Sequence, residues 1–264
     1  MDKRNKAVKA MMICPVCRQK LNNRDTALVC PNNHCFDYAK EGYVNLIVGS
    51  KSGDRRGDSK ESARARHSFL NKDYYICLKN AIKSRMTGTV LDICCGDGYY
   101  DDYDGELYGF DISKEMVRLA SKGHKNHTYF VANLANIPLE SESVDTAVHL
   151  FAPFNGKEFG RILKPDGVLY SVIPGENHLF EMKEIIYSTP YKNDEKTPEC
   201  SELSLVSKTK ISDKIKIGRE DLKELFSMTP YYYRTCAQDK EKLEKTDITE
   251  LSVEFVILEY RKQN

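Results

Sequence analysis

The sequence predicts an α/β protein in which a doubly wound sheet follows a small zinc-binding β-hairpin domain. Two observations predict this fold class. From Thr89 onward, short apolar runs of strand type alternate with helical segments, as in a parallel sheet covered by helices on both faces. Near the amino terminus, two cysteine-rich turns have the spacing of paired ligands in a structural zinc site.

The length and composition leave room for an enzyme. A chain of 264 residues can bury a large core. It contains nine Cys, but the opening stretch MDKRNKAVKAMMICP has no apolar segment of signal-peptide length, and no run of about 18 apolar residues occurs. We therefore expect a cytoplasmic protein with reduced thiols.

The net charge of +1 conceals an uneven distribution of charge. Residues 1–66 contain 14 Lys and Arg against 7 Asp and Glu, and the rest of the chain is net acidic. A basic segment attracts polyanions such as RNA, although a lysine-rich surface is also common as a plain solvated face. The charge pattern alone leaves both interpretations open.

The zinc-type turns lie in the first 40 residues. Cys14 and Cys17 in CPVC form one ligand pair, and Cys30 opens the second. Either His34 or Cys35 has a spacing that completes a tetrahedral site. The stretch RQKLNNRDTALV between the pairs is typical of a short hairpin, with NNRD as its turn. So small a unit has too little core to fold without the metal.

The segment GTVLDICCGDGYY has the pattern of a nucleotide-binding strand and loop. Residues 89–93 form an apolar run of buried-strand type, and Gly96 and Gly98 permit a tight turn on which a ligand can approach the backbone. A second short strand, LYGFD, ends in Asp111, an acidic residue placed to bind ribose hydroxyls. We interpret this segment as a mononucleotide-binding half.

The alternation continues to the end of the chain. Strands are predicted at HTYFVAN, SVDTAVHLF and PDGVLYSVIPG, and helices at residues 177–187 and at GREDLKELFSM. The final strand, LSVEFVILEYR, is expected to form an antiparallel closing pair with TPYYYRTC.

These motifs resemble known families. VLDICCGDG, GFDIS and FGRILKPDGVLY resemble the class I methyltransferases, which have a Rossmann-like sheet and use S-adenosylmethionine. More narrowly, the zinc knuckle, FDYAKEGYVNLI, GDSKESARARHSFLNKDYY and PGENHLFEMKEIIY resemble, in this order, the RlmA family, which methylates N1 of a guanine in 23S rRNA. The resemblance extends from about residue 14 to 260 and implies three parts: a zinc-binding RNA-recognition domain (1–50), a linker and helical lead-in (51–87), and a methyltransferase domain (88–264).

The resemblance also implies site residues. The zinc ligands would be Cys14, Cys17, Cys30 and His34, which makes Cys35 a neighbour. The residues that contact S-adenosylmethionine would be Tyr75, Gly96, Asp97 and His178. Asp111, on the ribose, and Asn133, at the end of HTYFVAN, complete the candidate cofactor-binding set. The sequence departs from the family at Cys94, where the family usually has Gly, and in a shorter stretch before Asp111.

The leading hypothesis for the function is an rRNA guanine-N1 methyltransferase that acts on a hairpin loop. The sequence does not identify a catalytic base. The family resemblance implies a homodimer. LFAPFN would line the base pocket, with Phe151 or Phe154 as a stacking platform. Phosphates would be contacted by Arg55, Arg56, Lys60, Arg64 and Arg66. Two alternatives stay open: a small-molecule methyltransferase with a structural knuckle, and a non-catalytic RNA-binding relative, which Cys94 and the short loop would fit. If the knuckle is independent, the sheet domain should bind its cofactor without zinc.

Overall fold

The fold was analysed in a computed structural model, which describes residues 11–49, 60–246 and 250–263. The strands are β1 (Asn22–Arg24), β2 (Ala27–Val29), β3 (Cys35–Asp37), β4 (Val44–Asn45), β5 (Thr89–Ile93), β6 (Glu106–Asp111), β7 (Thr128–Val131), β8 (Val144–Leu150), β9 (Leu163–Pro174), β10 (Leu203–Lys216) and β11 (Glu250–Lys262). The helices are α1 (Lys60–Leu70), α2 (Ile76–Lys83), α3 (Lys114–Gly123), α4 (Gly156–Ile162), α5 (Phe180–Ile186), α6 (Arg219–Ser227) and α7 (Ala237–Glu244). Within the described part of the chain, no helix combines the length and apolarity needed to cross a membrane.

The main sheet has eight strands in the order β10-β11-β9-β8-β5-β6-β7-β4. The six strands from β9 to β4 are parallel to one another. β11 is antiparallel to β9, and β10 is antiparallel to β11. The chain runs outward from β5 through β6 and β7, then crosses back to β8 on the other side. This switch in direction opens a crevice at the carboxyl end of β5, where doubly wound sheets bind ligands. The predicted α/β class is confirmed.

The antiparallel closing pair exists, but one partner was wrongly predicted. β11 pairs with β10 along its whole length, and residues 229–235, predicted as a strand, form a series of turns. Backbone bonds from Tyr232 N–H to Thr229 O and from Arg234 N–H to Tyr231 O close these turns. Tyr231 is buried, Tyr232 is half-buried and Tyr233 is exposed, so burial does not alternate along the aromatic run as it would in a strand.

The amino-terminal unit shares a core with the sheet. β1, β2 and β3 form a small antiparallel sheet, and the turn between β1 and β2 lies at residues 25–26, two residues beyond the centre of the predicted turn NNRD. β4 then joins the main sheet beside β7, and the Leu46 N–H donates to Val131 O. Met12 and Leu28 are fully buried in the cluster that contains Phe110 and Phe130 of the main sheet. Apolar packing therefore continues from the zinc-type unit into the sheet.

Candidate metal centre and active site

The predicted metal ligands come together in the structure. Ligand atoms of Cys14, Cys17, Cys30 and His34 all lie within 4.8 Å of one another. Cys17 Sγ lies 3.6 Å from Cys30 Sγ, and His34 Nδ1 lies 3.3 Å from Cys30 Sγ and 3.5 Å from Cys14 Sγ. A tetrahedron with zinc–sulfur bonds of about 2.3 Å has edges of about 3.5 to 3.8 Å. The spacing and the thiolate–imidazole chemistry therefore fit zinc.

Two turns of similar form present these ligands. Cys14 O accepts from Arg18 N–H in the first turn, and Cys30 O accepts from Asn33 N–H in the second. Arg18 and Asn33 have positive φ values of 62° and 61°, which close the turns tightly. Cys35 is exposed on β3, and its nearest polar contact is with Asp37. Cys35 is therefore outside the ligand cluster.

The glycine loop leaves the sheet at the carboxyl end of β5. Cys94, Gly96 and Gly98 all have φ between 57° and 78°. A Cβ atom at Gly98 would lie 3.1 Å from both Asp101 Oδ2 and Tyr129 Oη, so this position has no room for a side chain. Cys94 adopts the left-handed conformation that usually requires glycine, and it does so next to a cavity.

That cavity, which we call the acidic cavity, has a volume of about 270 Å³. The carboxylates of Asp92, Asp97 and Asp111 line it, together with Tyr75 and Gly96. Asp111 Oδ2 accepts from Gly96 N–H at 3.1 Å, and its Oδ1 accepts from Ser113 N–H at 2.8 Å. The end of β6 is thus tied to the glycine loop. Each carboxylate oxygen has a further lone pair with which it can accept a ligand hydroxyl.

Helix α1 lies against one side of the acidic cavity. His67 Nδ1 is 2.5 Å from Asp97 Oδ2, and Asn71 Nδ2 donates to the same oxygen at 3.3 Å. The hydrogen bond with Asp97 raises the pKa of His67. Asp97 is therefore held by α1, and Arg66 and Leu70 of this helix form part of the cavity wall.

Asp92 is an unusual wall residue. It is buried, and no donor among the residues that the structure describes reaches its two oxygens. Burial, with the nearby charge of Asp101, raises the pKa of Asp92. Asp101 is itself buried and accepts from Tyr129 Oη at 2.7 Å. A protonated Asp92 can donate to Asp101, which removes the repulsion between two buried carboxylates.

A second cavity, which we call the aromatic cavity, adjoins the first and has a volume of about 320 Å³. Its lining includes Phe151, His178, Pro230 and Tyr231. The two cavities share five lining residues, namely Arg66, Tyr75, Phe151, Ala152 and Met228. They are therefore two compartments of one cleft.

His178 in the aromatic cavity is a neutral imidazole. Its Nδ1 accepts from Glu254 N–H at 3.2 Å, so its proton belongs on Nε2. Burial, with the charge of Lys183, lowers the pKa of His178 to about 3. Nε2 lies 3.5 Å from Tyr75 Oη, an orientation in which the imidazole donates to the phenol. The Tyr75 hydroxyl proton is then available to a ligand.

Sequence reasoning missed a buried hydrogen-bond network that contacts His178 and Tyr231 of the aromatic cavity. Asn193 Oδ1 accepts from Lys183 Nζ at 2.6 Å and from Tyr231 Oη at 2.9 Å. Asn193 Nδ2 donates to the backbone oxygens of Gly175 and His178. The Lys183 side chain is fully buried. Its position on the apolar face of α5, next to buried Met182, was a sequence signal that could have been used.

The other predicted residues lie in different surroundings. Asn133 is exposed, caps the Ala135 N–H with its own Oδ1, and lines neither cavity. Phe151 is exposed where the cavities meet, whereas Phe154 packs against Phe159 and Tyr260. Arg64 is exposed on α1. Residues 55 and 56 and the Lys60 side chain lie outside the part of the chain that the structure describes.

The acidic cavity fits S-adenosylmethionine by the chemistry of its lining. Asp111 would accept from ribose hydroxyls, the Gly96 backbone permits close approach, and the Tyr75 ring is suited to a cationic sulfonium. When bound, this cofactor supplies an electrophilic methyl group. Asp97 and Tyr75 line this cavity, and His178 lines the aromatic cavity; their contact with the cofactor stays a prediction.

Comparison with known families agrees with this geometry. Residues 12–52 match the zinc ribbon of the RlmA amino-terminal family, and residues 90–167 match a methyltransferase domain family.

Comparison with individual proteins gives relatives that match over about two thirds of their length. The chain is 32% identical over 190 residues to a 23S rRNA (guanine(748)-N(1))-methyltransferase of Streptomyces fradiae, a match that covers 66% of each chain. It is 32% identical over 200 residues to a putative 23S rRNA (guanine-N(1)-)-methyltransferase of Micromonospora griseorubida, covering 64% of this chain and 67% of the relative. A solved putative methyltransferase from Bacillus halodurans C-125 is 14% identical, with a TM-score of 0.44, over 73% of this chain and 100% of the other.

The sheet order, the glycine loop and the methyltransferase match define a class I, S-adenosylmethionine-dependent methyltransferase with a zinc-binding unit. The zinc ribbon and the relatives narrow this class. The chain belongs to the RlmA-type family of 23S rRNA (guanine-N1)-methyltransferases.

Proposed function

We propose that this protein transfers a methyl group from S-adenosylmethionine to N1 of a guanine in a hairpin loop of 23S rRNA. The observation that carries the proposal is the division of one cleft into two compartments. The acidic cavity, with three carboxylates, suits a cationic cofactor that bears ribose hydroxyls. The aromatic cavity suits a flat, uncharged base. Tyr75 and Phe151 border both compartments, where the methyl group would be transferred.

Phe151 supports an extruded base as the substrate. The residue follows β8 directly, has a φ of 54°, and is 41% exposed at the cleft. A left-handed conformation is costly for a bulky aromatic residue and is tolerated mainly where function requires it. An exposed ring beside an apolar cavity can stack on a base that has left its helix. We therefore assign the stacking role to Phe151 rather than Phe154.

The amino-terminal part of the protein supports an RNA substrate. The excess of Lys and Arg in residues 1–66 is suited to phosphate contacts, which position RNA without reading its sequence. Two relatives of the chain are named as 23S rRNA methyltransferases, one of them as putative. The hairpin, the cytoplasmic location and a homodimer follow from the family resemblance, and light scattering of the purified protein tests the last of these.

The decisive experiment maps methylation. Ribosomal RNA from cells with and without the gene is digested and analysed by mass spectrometry, and the purified protein is then given the matching synthetic hairpin. One guanine should gain a single methyl group on N1. A control hairpin with adenine at that position should gain none. Methylation of another atom, or of no RNA, contradicts the proposal.

Salt dependence separates this function from small-molecule methylation. Each phosphate contact to single-stranded RNA contributes about −0.7 to the slope of log affinity against log salt. Replacing Arg55 and Arg56 together should flatten this slope and weaken all hairpins about equally. RNA binding that is weak and independent of salt would instead favour a small-molecule substrate.

A further inference from the structure

The two compartments of the cleft differ in charge. Among the residues that the structure describes, three carboxylates line the acidic cavity and none lines the aromatic cavity. His178 is neutral, so Arg66 is the sole ionised side chain among the residues that line the aromatic cavity. Among the described residues that line the compartment assigned to the base, Arg66 therefore supplies the fixed charge.

Arg66 reaches this position from the middle of α1. It lines both cavities and is half-buried, whereas Arg64, two residues earlier on the same helix, is exposed and lines neither. Burial raises the pKa values of Tyr75 and Tyr100, and the charge of Arg66 opposes this rise for both phenols. Arg66 therefore lies at the boundary of the two compartments.

We infer that Arg66 is a catalytic and specificity residue, which binds the O6 edge of the target guanine and stabilises the negative charge that develops there when N1 loses its proton. This inference rests on the proposed function. It follows from the position of one cation in a compartment that otherwise offers aromatic rings, aliphatic groups and hydroxyls.

The chemistry of guanine requires such a group. The N1 nitrogen carries a proton and donates its electron pair into the ring, so it is a poor nucleophile until the proton leaves. The proton passes to water at the cleft mouth, and the remaining electron pair is shared between N1 and O6. N1 then forms a bond to the methyl carbon, the carbon–sulfur bond breaks, and its electron pair stays on the sulfur. A guanidinium on O6 lowers the free energy of the anion from which this step starts.

His178 does not perform this role. Its Nδ1 is occupied by the Glu254 N–H, and its Nε2 carries a proton directed to Tyr75, so it has no lone pair for the N1 proton. Arg66 also explains the choice of base. A guanidinium donates to guanine O6 and N7, whereas adenine presents an amino group at the position of O6.

The test uses the full-length protein with the hairpin RNA in single-turnover reactions, with the pH varied from mildly acidic to alkaline. Arg66→Gln should lower the rate at neutral pH by about 100-fold, as for loss of one donor to a developing anion. The deficit should shrink at alkaline pH, where N1 loses its proton without help. Arg66→Lys should restore part of the rate, because it keeps the charge but loses the planar fork of donors.

The same variants are compared with Arg64→Gln, which removes an equal charge from the exposed face of α1. At saturating RNA and cofactor, the measured rate does not depend on the affinity for either, and calorimetry gives the cofactor affinity separately. An unchanged cofactor dissociation constant, with a pH profile altered in Arg66→Gln and not in Arg64→Gln, supports the inference.

Three results would overturn it. A rate deficit that is equal at all pH values would show that Arg66 does not act on N1 ionisation. If Arg66→Gln raises the cofactor dissociation constant tenfold and saturating cofactor restores the rate, Arg66 acts in cofactor binding. An equal change in Arg64→Gln would indicate a general phosphate contact. If the wild-type protein does not methylate guanine N1 at all, the proposed function fails, and this inference fails with it.

Discussion

His67 Nδ1 lies 2.5 Å from Asp97 Oδ2, so helix α1 is joined directly to the loop that follows β5. Asn71 strengthens the same junction. Arg66, the residue next to His67, lines the cleft on this helix. The contact between His67 and Asp97 therefore determines how firmly the wall that bears Arg66 is held against the acidic cavity.

This contact predicts a pH dependence of α1. The hydrogen bond with Asp97 raises the pKa of His67 above its ordinary value of 6.5. A group whose pKa is raised by folding stabilises the structure fully below the unfolded pKa, and this contribution is lost as the pH rises through the folded pKa. Hydrogen exchange of residues 60–70, corrected for its intrinsic pH dependence, should therefore accelerate above about pH 6.5. His67→Gln should abolish the pH dependence, and an unchanged dependence in that variant would exclude His67 as its source.

Cys94 gives a prediction about backbone strain. Its φ of 59° is costly for a residue with a Cβ, so Cys94→Gly should raise the free energy of unfolding by up to about 1 kcal/mol. Cys94→Ala keeps the Cβ and removes the thiol, so it should not show this gain. Thermal unfolding and calorimetry with S-adenosylmethionine measure both variants. Equal stability of the Gly and Ala variants would show that the thiol, and not the backbone, determines the effect.

Asp111 gives a prediction about the cofactor. Its two oxygens already accept from the Gly96 and Ser113 amides, and a ribose would add further donors. Asp111→Asn replaces one acceptor with a donor, so cofactor binding should weaken by about 1 to 3 kcal/mol. Asp102→Asn is the matched control, since Asp102 is exposed and pairs with Lys83. An unchanged dissociation constant for Asp111→Asn would remove this residue from the site.

The sequence predicted those strands that are buried on both faces of the sheet. The strands from β5 to β8 are buried along most of their length, so they appear as short, mainly apolar runs that a short window detects. β10 was missed because it is an edge strand whose central residues are exposed on both faces, as the adjacent Thr209 and Lys210 show. Its apolar residues are few and are separated by Lys, Ser and Thr, so a short window does not detect a buried face.

The site was predictable only where local spacing determines geometry. The four metal ligands belong to two tight turns, so their spacing already limits how they meet. The bond from His67 to Asp97 joins residues 30 apart, and the Lys183–Asn193–Tyr231 contacts depend on how a long irregular segment folds back. No periodicity encodes such contacts, because they depend on tertiary packing.

The pair Phe151 and Phe154 gives a direct test of the base platform. Phe151 is exposed at the cleft, so Phe151→Ala should leave stability nearly unchanged and lower RNA methylation by about 1 to 3 kcal/mol, the range for one base–aromatic stack. Phe154 packs on Phe159 and Tyr260, so Phe154→Ala should cost roughly 2 to 3 kcal/mol of folding free energy.

Kinetics and thermal unfolding of both variants, with calorimetry of the cofactor as the control, distinguish the two roles. Phe151→Leu, which keeps an apolar side chain without a ring, should resemble Phe151→Ala if stacking is the role. Methylation by Phe151→Ala at the full rate would show that the target base does not stack on Phe151.

The expected effect of zinc removal differs most between the sequence and the structure. The sequence alone suggested that cofactor binding would survive it, because the knuckle was expected to be an independent unit. Instead, Arg18 in the first knuckle turn donates to Asn136 Oδ1 at 2.7 Å, Ile13 N–H donates to Pro138 O, and β4 pairs with β7. These contacts hold the segment that follows β7. Chelation should therefore lower the melting temperature and also weaken cofactor binding several-fold.

Ligand variants and a contact variant separate the metal from its mechanical link to the sheet. His34→Ala should lose zinc, whereas Cys35→Ser should keep one zinc per chain, because Cys35 is exposed outside the cluster. Arg18→Gln should keep zinc but loosen residues 133–140, since it breaks the bond to Asn136 without altering a ligand. Metal analysis, hydrogen exchange of β7 and the following segment, and cofactor calorimetry are measured on all three. If the zinc-free protein binds S-adenosylmethionine with wild-type affinity and normal protection of β7, the shared core does not couple the two sites, and the amino-terminal unit is independent after all.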